Sequence, residues 1–343
     1  MLDDMTFIHR IDRSDALGIA STESNQLLHE FKFDSEFHGI NNIVYAAMGG
    51  SALAASLSLT WPGYTIPFEV VRGYDLPGYV GRHTLCILAS YSGNTEETLT
   101  ALQQAEDRGA QIVVITGGGK LLELANDKAY PTVILPKAKQ PRYAVFYNLR
   151  ALVEITAHAG VLIQMDTISQ LEKTAAFLNS QVEAWSPLKP IKENFAKQIA
   201  LECIGKSVVI YAGPKLSPAA YKWKISFNEN GKHVAWTGTY PEFNHNEFIG
   251  WSQQPVDKPY CVIDLRSDLE HPRVQKRFDL SERLLSGRRP SPVVVQAKGN
   301  GILEQLLYSV LLGDFVSLYT AIAGEIDPEP VELVERFKRM LND

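Results

Sequence analysis

The chain has little cysteine, no basic excess and no long uninterrupted apolar run, and each shortage removes a class of function. Only three cysteines occur in 343 residues, Cys86, Cys203 and Cys261. They stand far apart in sequence, each beside apolar residues and without the close spacing of a metal site or redox pair, and they read as buried small hydrophobes. Acidic residues outnumber basic ones, 39 to 33, for a formal net charge of -6. A grip on a phosphate backbone needs a clustered basic surface, so nucleic acid is not expected as the main partner. No run of 18 apolar residues appears, and the first residues, MLDDMTFIHRIDRSD, are acidic at once and lack an apolar signal core. Neither export nor membrane spanning is expected from that pattern; a soluble, cytoplasmic chain is.

What the sequence does hold is 45% hydrophobic residues, gathered in short β-rich runs between segments of helical period. NIVYAA, PFEVV, TLCILAS, QIVVIT and PTVILP come first, separated by segments such as ALAASLSL and EETLTALQQAEDRG. Such alternation predicts right-handed crossovers and a mostly parallel sheet covered on both faces. After a helical stretch near residues 147–202, strands resume with SVVIYAG, HVAWTG, YCVIDLR and PVVVQ. The expected fold is α/β: two doubly wound halves with mostly parallel sheets flanked by helices. Residues 1–40 read as a helical arm packed on the first half or on a partner subunit, 41–165 as the first half, 166–206 as a helical connector, and 207–343 as the second half with its C-terminal helices. IVYAAMGGSALAASLSL and VVIYAGPKLSPAAYKWKISF each run from a strand through a glycine turn into a serine-bearing helix start, which suggests a duplicated unit.

In an open α/β sheet, ligands gather at the carboxyl ends of strands, where helix-start N–H groups and the helix dipole favour an anion. Two turns in the first half meet that description. MGGS, Met48 to Ser51, follows one strand, and SYSGNT, Ser90 to Thr95, follows another. Glycine allows close approach of the backbone, while Ser51, Ser90, Ser92 and Thr95 supply hydroxyl donors. Ordinary capping accounts for part of SYSGNT, since Asn94 can cap the helix with Glu97 completing a box-like pair. It does not require three hydroxyl residues as well. Glu96 and Glu97 would repel a phosphate and are expected to point outward. TGGGK, Thr116 to Lys120, lacks the spacing of a nucleotide-binding loop and reads as a plain strand-to-helix turn.

MGGSALAA, SYSGNTEET, NEN at 228–230 and PEFNHNEF at 241–248 together resemble the sugar isomerase (SIS) fold, specifically the bifunctional phosphoglucose/phosphomannose isomerase family. The resemblance runs from about residue 40 to the C-terminus. SGNTEET is shared by many SIS proteins; the pairing of NEN with HNE is far more specific. By position the resemblance implies a sugar-phosphate cradle of Gly50, Ser51, Ser90, Ser92 and Thr95. It implies Glu229 as catalytic base, Arg142 beside the reacting carbons, Lys338 entering the site from a C-terminal helix, and His245 as the ring-opening histidine. In the family that histidine comes from the partner subunit of a homodimer.

Aldose–ketose interconversion needs these residue types. Ring opening requires a proton donor at the ring oxygen and an acceptor at the anomeric hydroxyl, jobs His245 and Lys338 can share. A carboxylate must then move a proton between C2 and C1, and a fixed cation such as Arg142 can stabilise the enediolate between those steps. No metal or redox cofactor is demanded; His233, His245 and Glu247 form only a weak metal pattern. Taken singly, each residue has an ordinary structural reading, and their joint fit carries the argument. One departure stands out: members that also take mannose 6-phosphate carry a small hydroxyl residue near the last helix, and the corresponding turn here is DPEPVE. Two alternatives share the cradle. A non-catalytic phosphosugar sensor would call for an effector module, and an SIS enzyme of an amino-sugar phosphate would not call for both NEN and HNE.

Overall fold

Strands with β-branched or apolar residues at every position have to be covered on both sides, and that requirement shapes the molecule. In a computed structural model, which describes residues 1–253 and 259–342, the chain divides into two compact units: residues 22–179, and residues 1–21 with the chain from 180 onward. The chain opens with helices α1 (Met5–Ile11) and α2 (Ala16–Thr22). Asp4 caps the first, and Asp12 accepts the Ala16 and Leu17 N–H groups at the start of the second, at 2.7 and 3.0 Å.

The 22–179 unit then runs β1 (Asn42–Ala47), α3 (Gly49–Thr60), β2 (Phe68–Val71), β3 (Thr84–Ser90), α4 (Glu96–Asp107), β4 (Gln111–Thr116), α5 (Gly119–Asp127), β5 (Thr132–Ile134), α6 (Val145–His158) and most of α7 (Thr167–Val182). All five strands are parallel, in the order β2-β1-β3-β4-β5. Alternation along them separates two cores. Ile43, Tyr45, Leu85, Ile87, Val113 and Ile115 pack with α3 and α6 residues, while Val44, Ala46, Cys86, Leu88 and Val114 pack with α4 and α5 residues. Phe31, Phe33 and Phe37, from the irregular segment ahead of β1, lie against the first of these cores.

The other unit continues with α8 (Phe195–Cys203), β6 (Ser207–Ala212), α9 (Ser217–Glu229), β7 (Ala235–Thr239), the short α10 (Glu247–Gly250), β8 (Tyr260–Arg266), α11 (Pro272–Leu284), β9 (Val293–Gln296), α12 (Ile302–Ala323) and α13 (Glu332–Asn342). Its four strands are parallel, ordered β7-β6-β8-β9. The two sequence stretches that suggested a duplication thus hold matching places: β1–α3 and β6–α9 are each a central strand followed by its crossover helix. Residues 1–21 belong to this unit, where the buried Lys197 ammonium donates to the Leu2 carbonyl at 2.5 Å.

α12 is apolar on all sides and is buried almost throughout; by length and composition it is the one helix among the described residues that would suffice to cross a membrane. α9 locks onto it. Trp223 donates to the Ser309 carbonyl at 2.6 Å and fills the space above Gly313, where a Cβ would lie 2.4 Å from its ring. Lys222 pairs with Asp314, both buried, with Ser226 bonded to each. The three cysteines are free and buried, and Cys203 and Cys261, distant in sequence, have their sulfurs 3.5 Å apart.

Candidate active site

The expected cradle residues of the 22–179 unit converge at the carboxyl ends of the neighbouring inner strands β1 and β3. Ser51, at the start of α3, accepts the Tyr91 N–H at 3.2 Å, which ties the turn after β1 to the turn after β3. Ser90 Oγ and Thr95 Oγ1 lie 2.7 Å apart, the Gly93 N–H donates to Ser90 Oγ at 3.1 Å, and the Asn94 N–H donates to Ser92 Oγ at 3.3 Å. Ser51 and Ser90 are buried; Ser92 is exposed and Thr95 half-buried. Thr95 is the N-cap residue of α4, yet its hydroxyl bonds no α4 amide. The first N–H groups of a helix have no intrahelical acceptor, so the mouth of α4 is a place where an anion is favoured.

The capping role expected of Asn94 is not the one it plays. Its side chain accepts the Lys120 N–H at 3.0 Å, at the start of α5, and so joins SYSGNT to the TGGGK turn. The two turns are in tight contact. Gly93 has φ +69°, and a Cβ there would lie 1.7 Å from the Gly118 carbonyl oxygen. The glycines of TGGGK make room for the neighbouring turn. Glu96 is exposed, within 3.3 Å of the Tyr74 hydroxyl.

Arg142 joins the same group of turns. It lies in the short 3-10 turn Pro141–Tyr143, is 2% exposed, and sets its guanidinium over the Tyr143 ring at 4.9 Å. Its backbone rests on the MGGS turn: a Cβ on Gly50 would lie 3.2 Å from the Pro141 oxygen and 3.4 Å from Arg142 Cα. Gly50, Ser51, Ser90, Ser92, Thr95 and Arg142 are therefore one assembly, built from turns that follow β1 and β3 and precede α6.

Glu229, His245 and Lys338 belong to the other unit. Glu229, which by itself reads as a residue of a solvated turn, is the half-buried last residue of α9. Lys222 and Ser226 of α9 and its C-cap residue Asn230, four apart, face α12, with Asn230 Nδ2 donating to Ser317 Oγ at 3.0 Å. That polar seam fixes the helix just where Glu229 ends it. Lys232, at φ +53°, donates from Nζ to the carbonyls of Glu229 at 2.6 Å and Pro328 at 2.9 Å. The turn ahead of α13 is thereby tied to the end of α9. Lys338 is exposed on α13, 3.2 Å from Glu335.

His245 ends a 3-10 turn, Glu242–His245, and is exposed. The residues around it are firmly held. Phe243 is buried in an aromatic cluster with Tyr211 and Tyr240, Asn244 bonds Ser281 and Arg277 of α11 at 2.9 and 3.1 Å, and Glu247 accepts the Tyr211 hydroxyl. Among the described residues no group of three His, Cys, Asp or Glu side chains is placed to hold a metal ion.

One polar residue of this unit gave no signal in the sequence. Glu270, in the turn after β8, is 5% exposed and accepts the Lys215 N–H at 2.7 Å in the turn after β6. Burial raises its pKa above the ordinary value, while the N–H groups of Lys215, Leu216 and His271 act in the opposite direction. Gly213 leaves it space, since a Cβ there would stand 2.3 Å from the carboxylate.

Comparison with known proteins adds to this geometry. Residues 36–138 match the SIS domain family, and residues 192–341 match the family described as bacterial phospho-glucose isomerase C-terminal SIS domain. A bifunctional phosphoglucose/phosphomannose isomerase of Caldicellulosiruptor bescii is 34% identical over 306 residues, spanning 88% of this chain and 90% of that protein. Another, from Aquifex aeolicus, is 33% identical over 302 residues, 87% and 90%. Among solved structures, a glucose-6-phosphate isomerase like protein from Thermus thermophilus superposes with a TM-score of 0.67 over 98% of both chains at 18% identity, a likeness of fold.

Proposed function

Because the chain belongs to the bifunctional phosphoglucose/phosphomannose isomerase family, we propose that it interconverts glucose 6-phosphate and fructose 6-phosphate, and takes mannose 6-phosphate as well. The observation that carries this reading is the joined pair of turns holding Ser51, Ser90, Ser92 and Thr95 at the mouth of α4. In it the hydroxyls and helix-start N–H groups take the phosphate, and Gly50 lets the backbone come close.

His245 and Lys338 share the proton traffic of ring opening, one protonating the ring oxygen as the other receives the proton of the anomeric hydroxyl. Glu229 then takes the C2 proton. The C2–H electron pair becomes the C1–C2 double bond, and the charge displaced onto O1 is met by the Arg142 guanidinium. A proton passes between O2 and O1, Glu229 returns its proton to C1, and the ketose results. No redox partner enters the balance.

Glu229→Gln is expected to lower kcat by about 10²- to 10⁴-fold while fructose 6-phosphate still binds; near-normal turnover would remove Glu229 from the role of base. Coupled assays on glucose, fructose and mannose 6-phosphates, with and without EDTA, test the substrates, and inactivity on all three would favour a sensor or an amino-sugar enzyme.

A cytoplasmic homodimer with His245 supplied across the interface belongs to the same proposal. Its support is the apolar stripe of α13, where Leu333, Phe337 and Met340 are each more than 60% exposed on this single chain. Mixed dimers of Glu229→Gln and His245→Ala chains should recover activity that neither parent shows. A fully active monomer would end this part of the proposal.

A further inference from the structure

Sequence spacing keeps the cysteines apart, and the fold brings two of them together. Cys203 is the last residue of α8, and Cys261 is the second residue of β8, where it pairs with Val208 of β6. Their sulfurs lie 3.5 Å apart, in contact, and both thiols are free. The pair sits at the amino end of the four-stranded sheet, close beneath the surface: Glu202 and Ile204, on either side of Cys203, are exposed, as is Pro259, two residues before Cys261. Cys86 belongs to the other unit, buried in β3.

We infer that Cys203 and Cys261 form a dithiol that a hydroperoxide converts reversibly into a disulfide, a modification site that fastens the end of α8 to β8. A disulfide needs two sulfurs that already meet, and a shift of roughly 1.5 Å takes these two to a bonded distance. The Cys203 S–H donates to the Cys261 sulfur; that donation holds the Cys261 thiol below its ordinary pKa against the opposing effect of burial, while the same bond and burial push Cys203 up. Cys261 is therefore the nucleophile. Its sulfur attacks one oxygen of the hydroperoxide, the O–O bond breaks, and an alcohol leaves with the Cys261 proton, so that a sulfenic acid remains on Cys261. The Cys203 sulfur then attacks that sulfur: the S–S bond forms, the S–O bond breaks, and hydroxide departs with the Cys203 proton as water. Two thiols lose two electrons, and one hydroperoxide gains them as it becomes alcohol and water. A thiol reductant returns both thiols. Burial pushes the Cys86 thiol up to about 12, which keeps it out of this chemistry. None of these steps needs the proposed isomerase activity.

Hydrogen peroxide, the simplest hydroperoxide, is the probe, with thiols of the full-length chain counted after denaturation and located by peptide mass mapping. The native chain should lose two of its three free thiols together with the mass of two hydrogens. The peptides holding Cys203 and Cys261 should be joined within one chain, and dithiothreitol should restore both thiols. Cys86 should react more slowly by roughly ten-fold or more. In Cys203→Ser, the Cys261 sulfenic acid has no thiol to meet and should be trapped by dimedone; in Cys261→Ser, the Cys203 thiol should be consumed more slowly, again by roughly ten-fold or more. Loss of all three thiols at one rate, as unfolding would give, overturns the inference. So does oxygen gain without a cross-link, a link between two chains, or survival of both thiols. Should either serine variant not fold, the thiol count and peptide map of the native chain still decide.

Discussion

In the five-stranded sheet, the turns after β1 and β3 are lined with hydroxyls and leave the start of α4 without a side-chain cap. In the four-stranded sheet, the turns after β6 and β8 are joined by Glu270, whose carboxylate accepts the Lys215 N–H. The same backbone frame therefore serves two ends, and the difference lies in a few side chains. A hydroxyl can donate and adds no charge of its own; a carboxylate only accepts and brings a negative charge with it. Parallel α/β frames offer anion sites wherever a helix starts after a strand.

The steepest contrast should come from the glycines. Gly93→Ala drives a Cβ against backbone, 1.7 Å from the Gly118 oxygen, at a positive φ. It should cost roughly 4 kcal/mol of stability and abolish sugar-phosphate binding, as read by thermal melts and titration. Gly213→Ala meets only the end of a side chain and should cost about 2 kcal/mol, most of it recovered when Glu270→Ala is added. Equal, unrescued losses at both glycines would erase the distinction between a backbone clash and a movable side chain.

The two units should also differ with pH. Asp12, Asp264 and Glu270 have pKa values raised chiefly by burial, and all three lie in the unit that includes residues 1–21. For Asp264, burial outweighs the attraction of Arg289 and Arg266; Asp12 also faces Asp15 and Asp327. A folded pKa above the unfolded value means that the folded state binds the proton more tightly. The resulting stability is full below the ordinary carboxylate range and is lost as pH rises through the raised values. Hydrogen exchange corrected for intrinsic rates should show β6 and β8 losing protection relative to β1 and β3 as pH rises from about 4 towards 7. Asp264→Asn should reduce that trend. The smallest effect is expected at the cradle itself: Ser90→Ala removes one hydroxyl and should raise KM by about ten-fold, the equivalent of one hydrogen bond to a charged group, with the melting temperature nearly unchanged.

Much of this was legible in the sequence. Apolar runs such as TLCILAS, buried at every position in β3, read as buried parallel strands because helical segments alternate with them, and the hydroxyl-rich turn stands directly after one of them. What stayed hidden depends on pairings between distant segments. Glu270 and Lys215 are 55 residues apart, Lys222 and Asp314 are 92 apart, and Cys203 and Cys261 are 58 apart. Local spacing holds no trace of such partners. Asn94 shows the same limit: its position suits a cap for α4, but the acceptor is used by Lys120 in the next turn over. Glu229 between two asparagines looks like loop because the stripe that keeps α9 helical up to it faces α12, about 90 residues on.

Residues 1–21 share a unit with the chain from residue 180 onward, and Lys197 holds the Leu2 carbonyl. At ribosomal speed those first residues emerge roughly 10 to 30 s before residue 180 does. Helices as short as α1 and α2 do not persist alone in water, so this piece waits unfolded while residues 22–179 are free to collapse. The unit that carries Glu229 cannot close until α12 has left the exit tunnel. A newborn chain thus gains the turns that hold Ser51, Ser90 and Thr95 well before it can complete the unit that holds Glu229.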